Sequence, residues 1–166
     1  MIARALTLAA GLSGAAGLSQ FPEFSQQYAQ RLGGAVDELH SFVAEFDADA
    51  AAVGLSRAAA LKSLSQGSEI GAARAETMGR TIERYERLSN DLTTLRGAGP
   101  FTRAYRARSF TDAEIAQAAW ADFKPAVPLT FEGAVFAGLG LLGGLGLMQA
   151  LIALMRWPFR RKAAIA

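Results

Sequence analysis

The chain has 166 residues, a net charge of +2 and a hydrophobic share of 51%, to which 17 glycines add roughly a tenth; only 19% of its residues are charged. A soluble domain is about 45–50% apolar with glycine included and about 25% charged, so this balance excludes a disordered chain and a polyelectrolyte tail. With no cysteine, disulfides, thiolate zinc sites, iron–sulfur clusters and thiol nucleophiles are excluded as well, and a single histidine leaves almost no scope for a His-based metal site or catalytic triad.

The first predicted element is an apolar helix over residues 1–19. Ala5 to Leu18 is interrupted only by Thr7 and Ser13, and counted from Ile2 the run holds 17 residues, the lower limit for crossing a hydrocarbon core. Two readings fit it. One is a retained transmembrane helix with Arg4 reaching outward to the interface. The other is a cleaved signal peptide, with Met1 to Arg4 as its charged region and Ala15 and Gly17 near the cleavage point.

Residues 20–128 carry 12 basic and 14 acidic side chains and read as helical throughout. Phe21, Phe24, Tyr28, Leu32, Ala35, Leu39, Phe42 and Phe46 recur at spacings of three and four, which predicts one apolar stripe on a long helix. The Gly33–Gly34 pair within it predicts a kink or a close approach to another backbone. A break follows over residues 48–54. Ser56 is positioned to cap a short helix ending near Gly67, and Ser68 to cap a long one. The long helix carries Met78, Ile82, Tyr85, Leu88, Leu92 and Leu95 and stops at Gly97, Gly99 and Pro100. A short basic stretch, Phe101 to Arg108, comes next. Thr111 and Glu114 have capping-box spacing for a last short helix through Ile115, Ala119 and Trp120. Pro125 and Pro128 form a stiff elbow.

The second apolar run, Gly133 to Met155, spans 23 residues with Gln149 as its one strongly polar member. At ~1.5 Å per residue it reaches about 35 Å, enough for a ~30 Å hydrocarbon core. Arg156, Trp157, Arg160, Arg161 and Lys162 close it, and with Arg4 they are the expected membrane-interface anchors. Cations near the spans put both termini in the cytoplasm and the middle segment on the opposite side. Gly133, Ala137, Gly140 and Gly144 fall on one face of this helix, and Ala9, Ser13 and Gly17 form a matching row in the first run. Such rows let membrane helices approach closely, either within the chain or against another subunit.

The chemistry-bearing residues are sparse. His40 has no convergent ligands. Asp47-Ala-Asp49 begins like a calcium loop, but the loop's sixth and twelfth positions are Ala52 and Ala58 instead of Gly and Glu. Glu69, Glu76, Glu83 and Glu86 alternate with Arg74, Arg80, Arg84 and Arg87 as on a solvated, ion-paired helix. Arg103, Arg106 and Arg108 are too few to make a nucleic-acid patch in a neutral segment. No phosphate-binding or nucleophile-elbow motif is present. No catalytic residue, cofactor site or metal site is expected.

Several stretches together resemble an uncharacterised family of bacterial membrane proteins, a domain of unknown function. They are Phe21-Pro22-Glu23-Phe24, Tyr28, Arg31-Leu32-Gly33-Gly34 and Asp37-Glu38-Leu39, then Arg87-Leu88, and then Asp122 to Thr130 followed by Glu132-Gly133. The resemblance covers most of the chain. It implies a proteobacterial inner-membrane protein and transfers no catalytic residue. Tyr28, Arg31, Gly33, Gly34 and Asp37 beside the first span, with Asp122, Phe123, Pro125 and Pro128 beside the second, are expected to form a junction or docking surface. Arg31 is expected to pair with Asp37 or Asp122.

The expected architecture is all-α: two transmembrane helices, residues 1–19 and 129–156, bracketing a small extracytoplasmic helical bundle, residues 20–128, with a cytoplasmic basic tail at 157–166. The expected role is a non-enzymatic accessory, assembly or scaffolding subunit of a larger inner-membrane complex. Its partners would be membrane lipid and other membrane-protein subunits, with self-association possible and no nucleic acid. The alternative is an extracytoplasmic ligand-sensing module that signals through a separate partner.

Overall fold

The computed structural model describes residues 1–125, 127 and 129–163, the last seven by backbone alone. Among these residues there is no strand, and the fold is all-α. The helices are α1 (Ile2–Ser19), α2 (Phe21–Ala52), α3 (Arg57–Gly67), α4 (Glu69–Leu95), α5 (Pro100–Tyr105), α6 (Ala113–Ala121) and α7 (Phe131–Ala163), with a 3₁₀ turn at Ala107–Ser109. They divide into two units, one made of residues 1–25 with the segment from Phe123 onward, the other of Gln26–Asp122.

The first unit is built on α1 and α7. Gly14 faces Gly140 and Ala10 faces Gly144, so the two helices run antiparallel. Phe21 packs on Phe136 with ring centroids 5.2 Å apart, and Phe24 meets Phe123 edge-on at 6.2 Å. The N-terminal helical run and Phe131–Arg156 are both long and apolar enough to cross a membrane, and only 11% of either apolar window is buried. A core helix of a soluble protein would be mostly covered. Here Leu6, Leu8 and Leu12 on α1 and Leu139, Leu142 and Leu147 on α7 stay open. The helix also outlasts the apolar run, since α7 continues past Arg156 to Ala163.

In the second unit the serine caps form where the sequence puts them. Ser56 accepts from the Ala59 N–H and Ser68 from the Gly71 N–H, each satisfying an orphan donor of a first turn. Gly97, at φ +71°, turns the chain out of α4 in a conformation that side chains disfavour. Arg57 donates to Asp47 (Nε to Oδ1, 2.7 Å) and ties α3 to α2. That hydrogen bond holds the Asp47 carboxyl below its ordinary range. Asp47 and Asp49 lie within α2 and not in a loop.

The core departs from two sequence expectations. The expected stripe on α2 is buried at Tyr28 and Leu32, but the buried line then continues through Val36, Val43 and Ala50: Phe42 is 50% exposed, and Ala35, Leu39 and Phe46 are half-buried. Beyond Val36 the buried residues recur every seven positions, the repeat that keeps one face of a helix turned toward its neighbours. The aromatic row drifts off that face and flanks a groove instead. A close backbone approach at Gly33–Gly34 is also absent. The helix runs unbroken through the pair, a Cβ at Gly33 would meet nothing nearer than Leu92 at 4.0 Å, and Gly34 faces open space. Ile82, Leu88, Leu92 and Leu95 of α4 and Ile115 and Ala119 of α6 complete the core, whereas Trp120 is exposed.

The basic stretch forms α5 and the 3₁₀ turn, and Arg106 donates to the Thr94 carbonyl at 2.7 Å near the end of α4. It thereby satisfies a carbonyl left over at a helix C-terminus, a structural use of a cation.

Candidate functional site

Two places combine close geometry with unusual residues: the glycine contact in the first unit, and a buried polar centre in the second.

The glycine contact is backbone on backbone. A Cβ built at Gly14 would overlap the Gly140 carbonyl oxygen, one at Gly140 the Gly14 carbonyl, and one at Gly144 the Ala10 carbonyl. Leu141 and Leu145 of α7 close over Gly11. Gly133 and Gly140 are buried and Ala137 and Gly144 half-buried on the same helix. On α1 the participating row is Ala10, Gly11 and Gly14. The expected row is displaced by one position: Ala9, Ser13 and Gly17 are exposed, and Gly17 has open space around it. Both rows repeat every four residues, and α1 is apolar all round, so no polar face marks which row packs. Gly138, Gly143 and Gly146 point into open space.

The polar centre gathers on Asp112, which is only 6% exposed. Its carboxylate caps α6 by accepting from the Ile115 N–H at 3.1 Å. It also takes Arg84 at 3.1 Å and Arg87 at 3.7 Å, and Arg84 reaches on to Glu114 at 2.7 Å. Burial depresses the Arg84 pKa, but Glu114 and Asp112 outweigh it and raise the value above the ordinary one, so the guanidinium stays charged. The Asp112 N–H donates to the hydroxyl of Tyr28 at 3.3 Å, and the Tyr28 ring lies on Phe110 with centroids 4.6 Å apart. Thr111, expected as the cap, instead donates to Asp91 at 2.6 Å. Both Thr and Asp are good caps; the two arginines on α4 select the aspartate. Sequence reasoning missed Asp112. The signal available was an Asp directly before Ala113, but its arginine partners lie 25–28 residues away on another helix.

Tyr28 is fully buried, and burial raises its pKa above 10.0, with the carboxylates of Asp112 and Asp91 adding to the rise and the backbone hydrogen bond from Asp112 opposing it. The folded state therefore favours the neutral phenol. The resulting stability is complete below the unfolded pKa near 10 and is lost as pH rises through the folded value. Tyr28→Phe is expected to abolish this alkaline dependence and to cost about 1 kcal/mol at neutral pH by orphaning the Asp112 N–H. Thermal melts of both proteins between pH 8 and 11 check this; parallel pH profiles would refute it.

The remaining candidate residues distribute as follows. Arg31 pairs with Asp122, and the pair is half-exposed. It does not reach Asp37, because six positions on a helix put the two side chains on different faces. Asp37 and Gly34 are exposed on α2. Phe123 is half-buried and Pro125 exposed in the first unit, and Pro128 lies outside the described residues, as do the side chains of Trp157, Arg160, Arg161 and Lys162. Arg4 and Arg156 line one groove between α1 and α7. His40 lies against the Tyr85 ring at 5.7 Å. Among the described residues no three His, Asp or Glu side chains converge as metal ligands.

The second unit also holds an open groove of about 490 Å³ where α2, α3 and α4 meet. Phe42, Phe46, Leu64 and Met78 supply its apolar lining, and Glu45, Asp49 and Arg74 its charges.

These features define an all-α protein with two helices long and apolar enough to cross a membrane, joined in close glycine contact. The chain belongs to DUF2937, a family described as protein of unknown function, whose model matches residues 2–161. No curated protein and no solved structure matches it.

Proposed function

We propose that this chain is a non-enzymatic accessory, assembly or scaffolding subunit of a larger complex in the bacterial inner membrane. Under the positive-inside rule, Arg4 and the cations from Arg156 to Lys162 favour cytoplasmic termini and a periplasmic segment at residues 20–128. The observation that carries the reading is the set of glycines left over. Gly14, Gly140 and Gly144 are consumed by the contact between α1 and α7, yet Gly138, Gly143 and Gly146 have nothing within 4 Å. A glycine facing lipid weakens its helix by about 1 kcal/mol relative to alanine and gains nothing there. Against a neighbouring helix it permits close approach.

The test is purification of the tagged full chain from its native membrane in mild detergent. Co-elution with other membrane proteins at fixed stoichiometry is expected. Gly143→Leu with Gly146→Leu should abolish it without lowering the thermal midpoint, because both positions face open space and leucine is the better helix former. Elution of the wild type alone would sink the proposal. It would favour the second reading, a ligand-sensing module, for which the 490 Å³ groove on α2, α3 and α4 is the supporting feature; small-molecule sites fall in the range of about 300–1,000 Å³.

A further inference from the structure

The groove between α1 and α7 that holds Arg4 and Arg156 has a volume of about 480 Å³. Thr7, Leu145, Gln149 and Ile152 are also in its wall. The only acidic residues of this unit are Glu23 and Glu132, which lie toward the opposite ends of the two helices. Neither arginine has an ion-pair partner among the described residues. The first turn of α1 has no side-chain cap, so its positive end adds to the same field.

Gln149 has no hydrogen-bond partner among the described residues either, and it is the one strongly polar side chain of the 133–155 run. It stands seven positions before Arg156 on the same face of α7. At ~1.5 Å per residue it sits about 10 Å deeper along the helix. Thr7 is differently engaged, donating its hydroxyl to the Ala3 carbonyl at 2.9 Å. The groove therefore begins at two uncompensated guanidinium groups, passes Ile152 and one amide donor, and ends on the apolar side chains of Leu8 and Leu145.

We propose that this groove binds one anionic phospholipid: Arg4 and Arg156 hold the phosphate, Gln149 donates to an ester carbonyl, and an acyl chain lies over Leu8 and Leu145. Guanidinium groups suit this because they remain charged and offer paired donors to phosphate oxygens. An amide at the depth of the esters would otherwise stay unpaired in hydrocarbon, which is costly. A zwitterionic lipid carries the same phosphate, but its own cation competes with the arginines. The inference rests on the membrane reading of α1 and α7.

The full chain in detergent is titrated with phosphatidylglycerol, with phosphatidylcholine of the same acyl chains, and with inorganic phosphate. Thermal midpoint and native mass spectrometry report binding. Phosphatidylglycerol is expected to bind about 30-fold more tightly than phosphatidylcholine, each arginine contributing as a juxtamembrane cation does. Phosphate alone should leave the midpoint unmoved. Arg4→Gln with Arg156→Gln should erase the preference, and Arg4→Lys with Arg156→Lys should retain part of it. Equal binding of the two lipids, an undiminished preference in the glutamine variant, or stabilisation by phosphate alone would each overturn the proposal. If the glutamine variant fails to fold, the lysine variant and the wild-type comparison decide it. Recovery of the chain in the soluble fraction without detergent would refute the membrane reading, whereas membrane recovery without lipid preference would refute this inference alone.

Discussion

Gly140→Ala is expected to force α1 away from α7 and to cost roughly 3 kcal/mol or more, beyond the usual cost of overpacking. The reason is the identity of the obstructing atom. The added methyl would meet the Gly14 carbonyl oxygen and the neighbouring backbone, not the end of a flexible side chain, so the only relief is separation of the helices. Alanine is the better helix former by about 1 kcal/mol, which offsets part of the loss. Under the proposed membrane placement no hydrophobic drive restores the contact, because association in lipid depends on van der Waals packing and polar contacts. Gly138→Ala is the control: nothing lies within 4 Å of it, so helix propensity acts alone and the protein should gain slightly. Unfolding of both variants in detergent, followed by far-ultraviolet circular dichroism, gives the comparison. Equal stability of the two would mean that the close contact does not hold α1 to α7.

Asp112→Ala should destabilise the second unit by about 2–3 kcal/mol. Loss of the α6 cap contributes about 1 kcal/mol. The rest comes from Arg84, which loses one of its two carboxylate partners while its Nε is already buried without an acceptor. A lost hydrogen bond to a charged group is worth about 1.5–3 kcal/mol. The lower end applies here, because the Arg84 side chain is 36% exposed and water compensates in part. Asp112→Asn separates the two contributions. Asparagine caps as well as aspartate, so this variant should keep the helix start and lose only the charge. Melts of the wild type and both variants, with helix content read at each step, resolve them. An alanine variant no less stable than the asparagine one would remove the cap from the account.

Most of the secondary structure is legible in local chemistry. Ser56 and Ser68 cap because a short hydroxyl side chain reaches the N–H three residues on, and Gly97 ends α4 because it tolerates positive φ; neither needs a distant partner. The two apolar runs are legible for the same reason, since length and the lack of charge are properties of the segment alone. Choices among equivalent rows were not legible. The repeat of four describes Ala9, Ser13 and Gly17 as well as it describes Ala10 and Gly14, and rotation of α1 by one residue decides between them. The stripe through Phe42 and Phe46 and the line through Val43 and Ala50 are likewise adjacent rows on one helix. Only the position of the neighbouring helices tells which is covered.

The sequence by itself therefore determined an all-helical protein, its two apolar helices, its main caps and stops, and its family. The tertiary structure alone decided which small residues touch, that Asp112 and not Thr111 starts α6, and that Arg31 meets Asp122 and not Asp37. It also brought Arg4 and Arg156, at opposite ends of the chain, to one groove. The physical reason is the range of the interactions. Capping, helix propensity and hydropathy act within a few residues, whereas ion pairs and backbone contacts between helices depend on rotations and offsets that local sequence leaves free.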